Sequence, residues 1–295
     1  MTIEIRTPTV DETPAIREVI EEHAQAAFGE TELNEEEIRS WFARPQVSIR
    51  VAERDGRMVG YLDVAAESSG RFSADVRTLD RDAAARLLDE GEAIAREQGA
   101  EAVRSYVQGD DPVLRDVVEA PGWQPIRYSF QMRIELADDV PEPDWPAGLS
   151  LRNLRSGEEE RVFEAQMDAF ADHWDFHRGP LEEWLSYNVR DHAFDPSLWW
   201  LVEDGDELAA LCLNQWHFSG DPQFGWIGIL GVRSPWRRRG LATALLRHSF
   251  FDFRRRGATR VGLGVDGENT TGAVRLYERA GMHVVRRNDT YEKKL

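Results

Sequence analysis

Apolar positions along this chain follow two periods, one of two residues and one of three to four, and the order in which the periods alternate occurs twice. Ile3-Glu-Ile-Arg alternates as a half-buried strand does. Residues 11–28 then read as a helix with Thr13-Pro14 near its start, and a second helix is predicted over 35–42, stopped before Pro45. Strands are predicted over 48–53 and 58–65, joined through Asp55-Gly56, a dipeptide that tolerates the left-handed backbone of a tight hairpin. A strand over 72–79, a helix over 82–98 ended by Gly99, a strand over 102–107 and a short helix over 112–119 closed at Pro121-Gly122 follow. Strand sequence over 123–136 completes the first run.

Residues 138–148 interrupt the pattern. They are rich in aspartate and proline (Pro141, Pro143 and Pro146), the composition of a linker at a domain boundary. The plan then restarts. A strand opens at Leu149-Ser-Leu-Arg-Asn-Leu, helices are predicted over 158–170 and 180–188, and strands over 198–203 and 207–216 join through Asp204-Gly205. A strand over 224–232, a long helix over 238–256, a strand over 260–266, a helix over 270–279 closed by Gly281 and a strand over 282–294 finish the second run. The hairpin glycines Gly56 and Gly205 lie 149 residues apart, whereas Gly122 and Gly281 lie 159 apart, so the second run is ten residues longer between these landmarks. Most of the excess precedes the long helix: Gly56 to Arg81 spans 25 residues and Gly205 to Arg238 spans 33.

The candidate chemistry follows that longer stretch. A buried strand, Ile227 to Val232, turns at Ser234-Pro235 into the basic loop Arg237-Arg238-Arg239-Gly240, and an apolar helix begins near Leu241. The start of a helix leaves backbone N–H groups unpaired at the positive end of the helix dipole, which suits a phosphate. The first run reads Arg77-Thr-Leu-Asp-Arg-Asp-Ala-Ala-Ala at the same point, with no glycine and no concentration of arginine. Only the second run is therefore expected to cradle a pyrophosphate.

Composition narrows the class. A chain of 295 residues with 41% hydrophobic content can build two ordinary cores. No run approaches eighteen apolar residues and no signal-peptide pattern opens the chain, so a soluble, cytoplasmic protein without membrane contact is expected. Cys212 is the single cysteine, which excludes an intrachain disulfide and a thiol-rich metal site; no metal is expected. The net charge of −18 is uneven: residues 1–145 carry 32 acidic and 16 basic side chains (−16), residues 146–295 carry 22 and 20 (−2). An acidic half disfavours nucleic acid. It serves solubility alone or attracts a cationic substrate.

Two motifs now carry a resemblance. Val232-Arg-Ser-Pro-Trp-Arg237-Arg-Arg-Gly240-Leu-Ala242, followed by Ala244-Leu-Leu and later by Asn269, Ala273-Val-Arg-Leu-Tyr277 and Gly281, resembles the GNAT acetyltransferase superfamily. Its loop pattern, Arg/Gln-x-x-Gly-x-Gly/Ala, is matched by Arg237, Gly240 and Ala242. The match covers residues 149–295; residues 1–136 agree in element order only and look like a degenerate copy. The tandem arrangement resembles that of mycothiol synthases. The resemblance implies an α+β (mixed α/β) fold of two tandem GNAT-like domains, each a mostly antiparallel sheet with a splayed parallel strand pair flanked by helices. It implies a degenerate domain over 1–137, a linker over 138–148 and a catalytic domain over 149–295.

The same resemblance implies acetyl-CoA as cosubstrate, bound by Arg237, Arg238, Arg239, Gly240, Leu241, Ala242 and Thr243 at the pyrophosphate. Leu230, Gly231 and Val232 would meet the pantetheine arm and the acetyl carbonyl, with Asn269 near the arm and Tyr277 near the sulfur. Attack of a neutral amine on a thioester needs a path for the amine proton, a donor for the oxyanion and an acid for the thiolate. A phenol suits the last role, so Tyr277 is the expected acid. Packing is its alternative role, because Ala273, Leu276, Tyr277 and Ala280 share one helical face.

Mycothiol synthase resemblance would place a glutamate base near Trp226, where this chain has tryptophan. His217, with Asp221 near it, is the substitute base, against a structural histidine or an ordered-water relay. The segment Ala171-Asp-His-Trp-Asp-Phe-His-Arg178 is where the resemblance puts acceptor recognition. Trp174, Asp175 and Trp226 are the candidate acceptor contacts, by cation–π attraction and charge pairing. Cys212, inside an apolar strand, reads as packing. The expected activity is direct N-acetylation of a small-molecule primary amine in a ternary complex, by a monomer or homodimer. The alternatives are mycothiol synthase-like acetylation of a cysteinyl amino-sugar conjugate and a non-catalytic CoA-binding regulatory protein.

Overall fold

The computed structural model describes residues 2–67, 70–190 and 192–295. The chain forms two compact units that are not contiguous in sequence. Unit 1 takes residues up to Phe130 with Phe218–Gly220 and Arg286–Leu295; unit 2 takes Gln131–His217 and Asp221–Val285.

In unit 1, β1 (Ile3–Arg6), α1 (Thr13–Ala27), α2 (Glu35–Phe42), β2 (Val47–Arg54), β3 (Arg57–Ala66), β4 (Arg71–Thr78), α3 (Arg81–Glu97), β5 (Ala102–Gln108) and α4 (Pro112–Val118) follow one another. Strand alternation sorts the core onto two faces. Tyr61 joins Ile16, Ile20, Ile38 and Val51 on one face. Its neighbour Leu62 joins Leu87, Leu88 and Val103 on the other. The pairs β1–β2, β2–β3 and β3–β4 are antiparallel, and β4–β5 is parallel.

Unit 2 repeats the plan with β7 (Ser150–Asn153), α5 (Glu159–Phe170), α6 (Leu181–Asn188), β8 (Trp199–Asp204), β9 (Glu207–Trp216), β10 (Phe224–Val232), α7 (Leu241–Arg255), β11 (Arg260–Asp266) and α8 (Ala273–Arg279). Here β7–β8, β8–β9 and β9–β10 are antiparallel and β10–β11 is parallel. Each unit is therefore a mixed sheet flanked by helices.

The last strand of each run departs from the contiguous plan. β12 (His283–Lys294) pairs antiparallel with β5, from Asn288↔Gln108 to Lys294↔Ala102, and so completes the sheet of unit 1 from Arg286 onward. In unit 2 the neighbour of β11 is the second half of β6 (Gln124–Glu135). Period-two alternation identifies a strand and leaves its partner open. Two helices also start later than their apolar period suggests. Arg238 and Gly240 have φ of 61° and 84°, so the helix expected from 238 begins at Leu241. Gly272, at φ 81°, delays α8 to Ala273 in the same way.

Candidate active site

The site in unit 2 exists because two parallel strands stop pairing. β10 and β11 are in register from Phe224↔Arg260 to Ile227↔Leu263 and no further. At that point β10 slips against β9 between Ile227 and Ile229, a bulge centred on Gly228. Beyond it Leu230, Gly231 and Val232 on one strand and Gly264, Val265 and Asp266 on the other line a cavity of about 780 Å³, well within the range of small-ligand pockets. Gly231 lets the end of α5 close one wall. A β-carbon there would come within 3.0 Å of the Ala169 Cβ and 3.1 Å of Phe170.

The loop before α7 lines the same cavity through Arg237, Arg238, Gly240, Leu241, Ala242 and Thr243. Gly240 stands at the N-cap of α7 and has no side chain to offer its first N–H groups. Those groups are the intrinsic orphans of a helix start, and the left-handed residues beside them shape an anion-binding concavity. The equivalent helix of unit 1 supplies the contrast. Asp80 caps α3, its carboxylate accepting the N–H groups of Asp82 and Ala83 at 3.0 and 3.1 Å. Unit 1 thus answers its helix start with its own anion.

The structure separates the roles of the arginine triplet. The Arg237 side chain donates to Asp172 at 2.5 and 2.8 Å, to the Val232 carbonyl at 3.1 Å and to the Ala169 carbonyl at 2.9 Å. Its guanidinium is committed to protein acceptors, and only its backbone remains for a ligand. The hydrogen bonds from Arg237 hold the Asp172 carboxyl down at about 2. Arg239 lies 3.7 Å from Asp204 and does not line the cavity. Arg238 lines it.

Tyr277 lines the cavity from α8 and is 8% exposed. Burial first, and Cys212 second, push its phenol above the ordinary value, so it stays protonated and able to donate. Asn269 also lines the cavity; its Oδ1 accepts the Thr271 N–H at 2.8 Å and shapes the turn before α8. Cys212 is buried in β9 beside Asn214 and Ser249, and burial raises its thiol to about 12, which fits packing rather than nucleophilic chemistry.

Five residues expected at the site from sequence lie away from the cavity wall: besides Arg239, His217, Trp226, Trp174 and Asp175 are absent from its lining. His217 is buried, stacked on Phe224 with ring centroids 4.1 Å apart and edge-on to Trp226 at 5.2 Å. Trp226 lies over Gly262. Trp174 is exposed, and Asp175 adopts φ 55° in the loop after α5. Charged lining residues that the sequence reading did not name include Arg247, Asp266 and Arg279, while His173 falls within the segment 171–178 that it gave to the acceptor. His173 sits against Phe170 at 4.4 Å, and burial lowers its pKa, which favours the neutral ring. Arg247 was within reach of sequence reasoning, since it lies one helical turn after Thr243 on the same face of α7.

A bulged strand parts from its parallel neighbour, a glycine-opened helix start stands at one end of the gap, and a buried phenol lines it. Residues 159–282 match the Acetyltransferase (GNAT) family. The chain is 30% identical to a mycothiol acetyltransferase of Thermobispora bispora over 283 residues, covering 92% of this chain and 94% of that one. A GCN5-related N-acetyltransferase of Sphaerobacter thermophilus is 32% identical and superimposes with a TM-score of 0.82 over 99% of this chain and 95% of that one. A tandem GNAT protein from the clavulanic acid biosynthesis pathway shares the fold at 16% identity, with a TM-score of 0.79 over 99% and 98% of the two chains. The chain belongs to the GNAT acetyltransferase family. It is an acetyltransferase whose acetyl donor is acetyl-CoA. No helix among the described residues is long and apolar enough to cross a membrane.

Proposed function

We propose that unit 2 acetylates a primary amine of a small molecule by direct transfer, with donor and acceptor bound together. The observation that carries this reading is the gap between β10 and β11: pairing ends at Ile227↔Leu263, and the cavity runs from there to the open start of α7. The residues fit the donor. The N–H groups of Leu241, Ala242 and Thr243 at the start of α7 would take a pyrophosphate. Leu230, Gly231 and Val232 offer strand backbone to the pantetheine arm, and Asn269 flanks it.

The amine nitrogen attacks the thioester carbonyl carbon. The carbonyl becomes an oxyanion, the carbon–sulfur bond breaks, and the leaving thiolate takes the Tyr277 proton. The ammonium proton of the acceptor leaves to water, and water returns a proton to the Tyr277 phenolate. His217 has no part in this scheme, because its ring is stacked on Phe224 instead of lining the cavity. Trp174 and Asp175 stay on the loop after α5, suited to hold a cationic acceptor on approach. In unit 1 the Asp80 carboxylate already occupies the helix start, which supports a structural role and a single donor site per chain.

A cysteinyl amino-sugar conjugate is the second acceptor reading. It is favoured by the mycothiol acetyltransferase relative, whose similarity spans both units. Trp226 stands where a glutamate base would be expected, which argues for a different acceptor. Free-thiol release measured over a panel of amines that includes the cysteinyl amino-sugar decides between them. Turnover with that conjugate alone selects the second reading, and no release with any amine defeats both.

A further inference from the structure

Unit 1 repeats a strand ladder of unit 2 with different side chains on it. The hairpins close at Arg54↔Arg57 and Asp204↔Glu207, and each shifts register just beyond. Counted from there, Tyr61↔Arg77 and Asp63↔Asp75 of β3 and β4 stand where β9 and β10 have Leu211↔Gly231 and Leu213↔Ile229. Alternation puts the four residues of unit 1 on one face. The fold accepts an apolar block at this place, yet unit 1 carries two carboxylates directly opposite each other. Such partners have their β-carbons about 5 Å apart, and like charges there repel.

The surroundings leave one negative charge in excess. Arg77, 4% exposed, pairs with Asp75 and lies 3.4 Å from Glu32. Arg286 of β12 also reaches Glu32, at 3.4 Å. Two guanidiniums thus meet three carboxylates: Glu32, Asp75 and Asp63. The other elements against the block bring charges already engaged. His23 of α1 is bonded to Asp111 at 2.8 Å, and Glu37 of α2 accepts the Trp41 indole N–H at 3.2 Å. Tyr106 and Arg104 of β5 both bond Glu67. Ile49 of β2 stands opposite Asp63 on its other side, and the buried Tyr61 phenol lies against it. Loss of solvation first, and Asp75 second, push the Asp63 carboxyl up to about 7. Loss of solvation also raises Asp75, against the pull of Arg77. The Asp75 side chain keeps 25% of its surface exposed, which leaves a proton a path to solvent.

We infer that Asp63 and Asp75 hold one proton between them, and that its release loosens the β3–β4 ladder and weakens unit 1 on the alkaline side. Asp75, bonded to Arg77, is the ionised member and Asp63 the protonated one. Between the unfolded carboxyl value near 3.8 and about 7, the folded state holds a proton that the unfolded state has released. The stability this pair contributes is therefore fully present at low pH and lost as pH rises through about 7.

The experiment is a carbon-13 NMR titration of the full chain with carboxyl-labelled aspartate, for the wild type, Asp63→Asn and Asp75→Asn. Hydrogen exchange of the β3 and β4 amides, corrected for the intrinsic rate, is followed over the same pH range. One aspartate of the wild type should titrate near pH 7 and be missing from Asp63→Asn. In Asp75→Asn it should titrate at least about one pH unit lower, the scale of one nearby like charge removed. Protection of the wild-type β3 and β4 amides should fall by up to about tenfold per pH unit towards pH 7, and Asp63→Asn should abolish that fall. Three results overturn the shared proton: no aspartate titrating above about pH 6, a titration that remains in Asp63→Asn, or one that Asp75→Asn leaves in place. Protection that does not change with pH overturns the loosening. The wild-type titration decides even where a variant fails to fold.

Discussion

Asp172 accepts both terminal nitrogens of Arg237, at 2.5 and 2.8 Å, across 65 residues of chain. The pair fastens the loop after α5 to the loop before α7. Arg237 strengthens the joint by donating to the Ala169 and Val232 carbonyls. The first arginine of the triplet thereby holds the loop that lines the cavity.

Arg237→Lys keeps the charge and loses the fork. It should weaken acetyl-CoA binding several-fold while leaving the melting temperature within a few degrees, since an exposed ion pair contributes roughly 1 kcal/mol or less. Calorimetry and thermal melting check this, and unchanged affinity would show that the joint does not shape the loop.

The same pair predicts a flat acid limb. Asp172 is depressed to about 2 in the folded protein. Its contribution is fully present above the unfolded value near 3.8 and lost only as pH falls through about 2. Acetyl-CoA affinity measured from pH 5 to 7 should therefore show no titration that Asp172→Asn removes.

Gly240→Asp should reduce acetyl-CoA affinity at least about a hundredfold, by the arithmetic of one lost phosphate cradle. No neighbour would clash with the added Cβ. The cost comes from φ of 84° and from a carboxylate placed where Asp80 sits on α3. Titration of the wild type should give one site per chain; a second site of similar affinity would falsify the structural role of unit 1.

Tyr277→Phe should lower kcat by about 10²-fold or more, the usual scale of a lost general acid, with acetyl-CoA affinity nearly unchanged. Equal loss in kcat/KM and kcat points to the transition state. Retained turnover would leave Tyr277 a packing residue.

His248 on α7 is buried against Trp200 and Trp145, with ring centroids 4.3 and 5.6 Å away, and neither ring nitrogen has a hydrogen-bond partner among the described residues. Burial lowers its pKa. The unfolded state takes up the proton first, so stability is full above the ordinary value near 6.5 and falls as pH drops below it. His248→Phe should flatten the melting-temperature profile between pH 7 and 5. An unchanged profile would assign the acid sensitivity elsewhere.

Local chemistry was legible where local chemistry decides. Asp55-Gly56 and Asp204-Gly205 make the two hairpins, with φ of 54° and 77° at the first. The loop before α7 was legible for the same reason: strand, turn, left-handed glycine and helix follow within one continuous stretch. His217 stacks on Phe224 and is absent from the cavity lining, and the end of a strand looks the same from sequence in either case. The Asp80 cap was legible in kind, as an aspartate just before a helix. Its meaning, an anion already seated, emerged only beside the bare Gly240.

The order of elements, the two runs and the place of the glycine loop before α7 follow from the sequence alone, because periodicity and turn residues act over a few positions. The partner of β12 and the commitment of Arg237 to Asp172 belong to the tertiary structure. Each is a pairing between residues distant in the chain, and hydrogen bonds, ion pairs and burial are properties of neighbours in space.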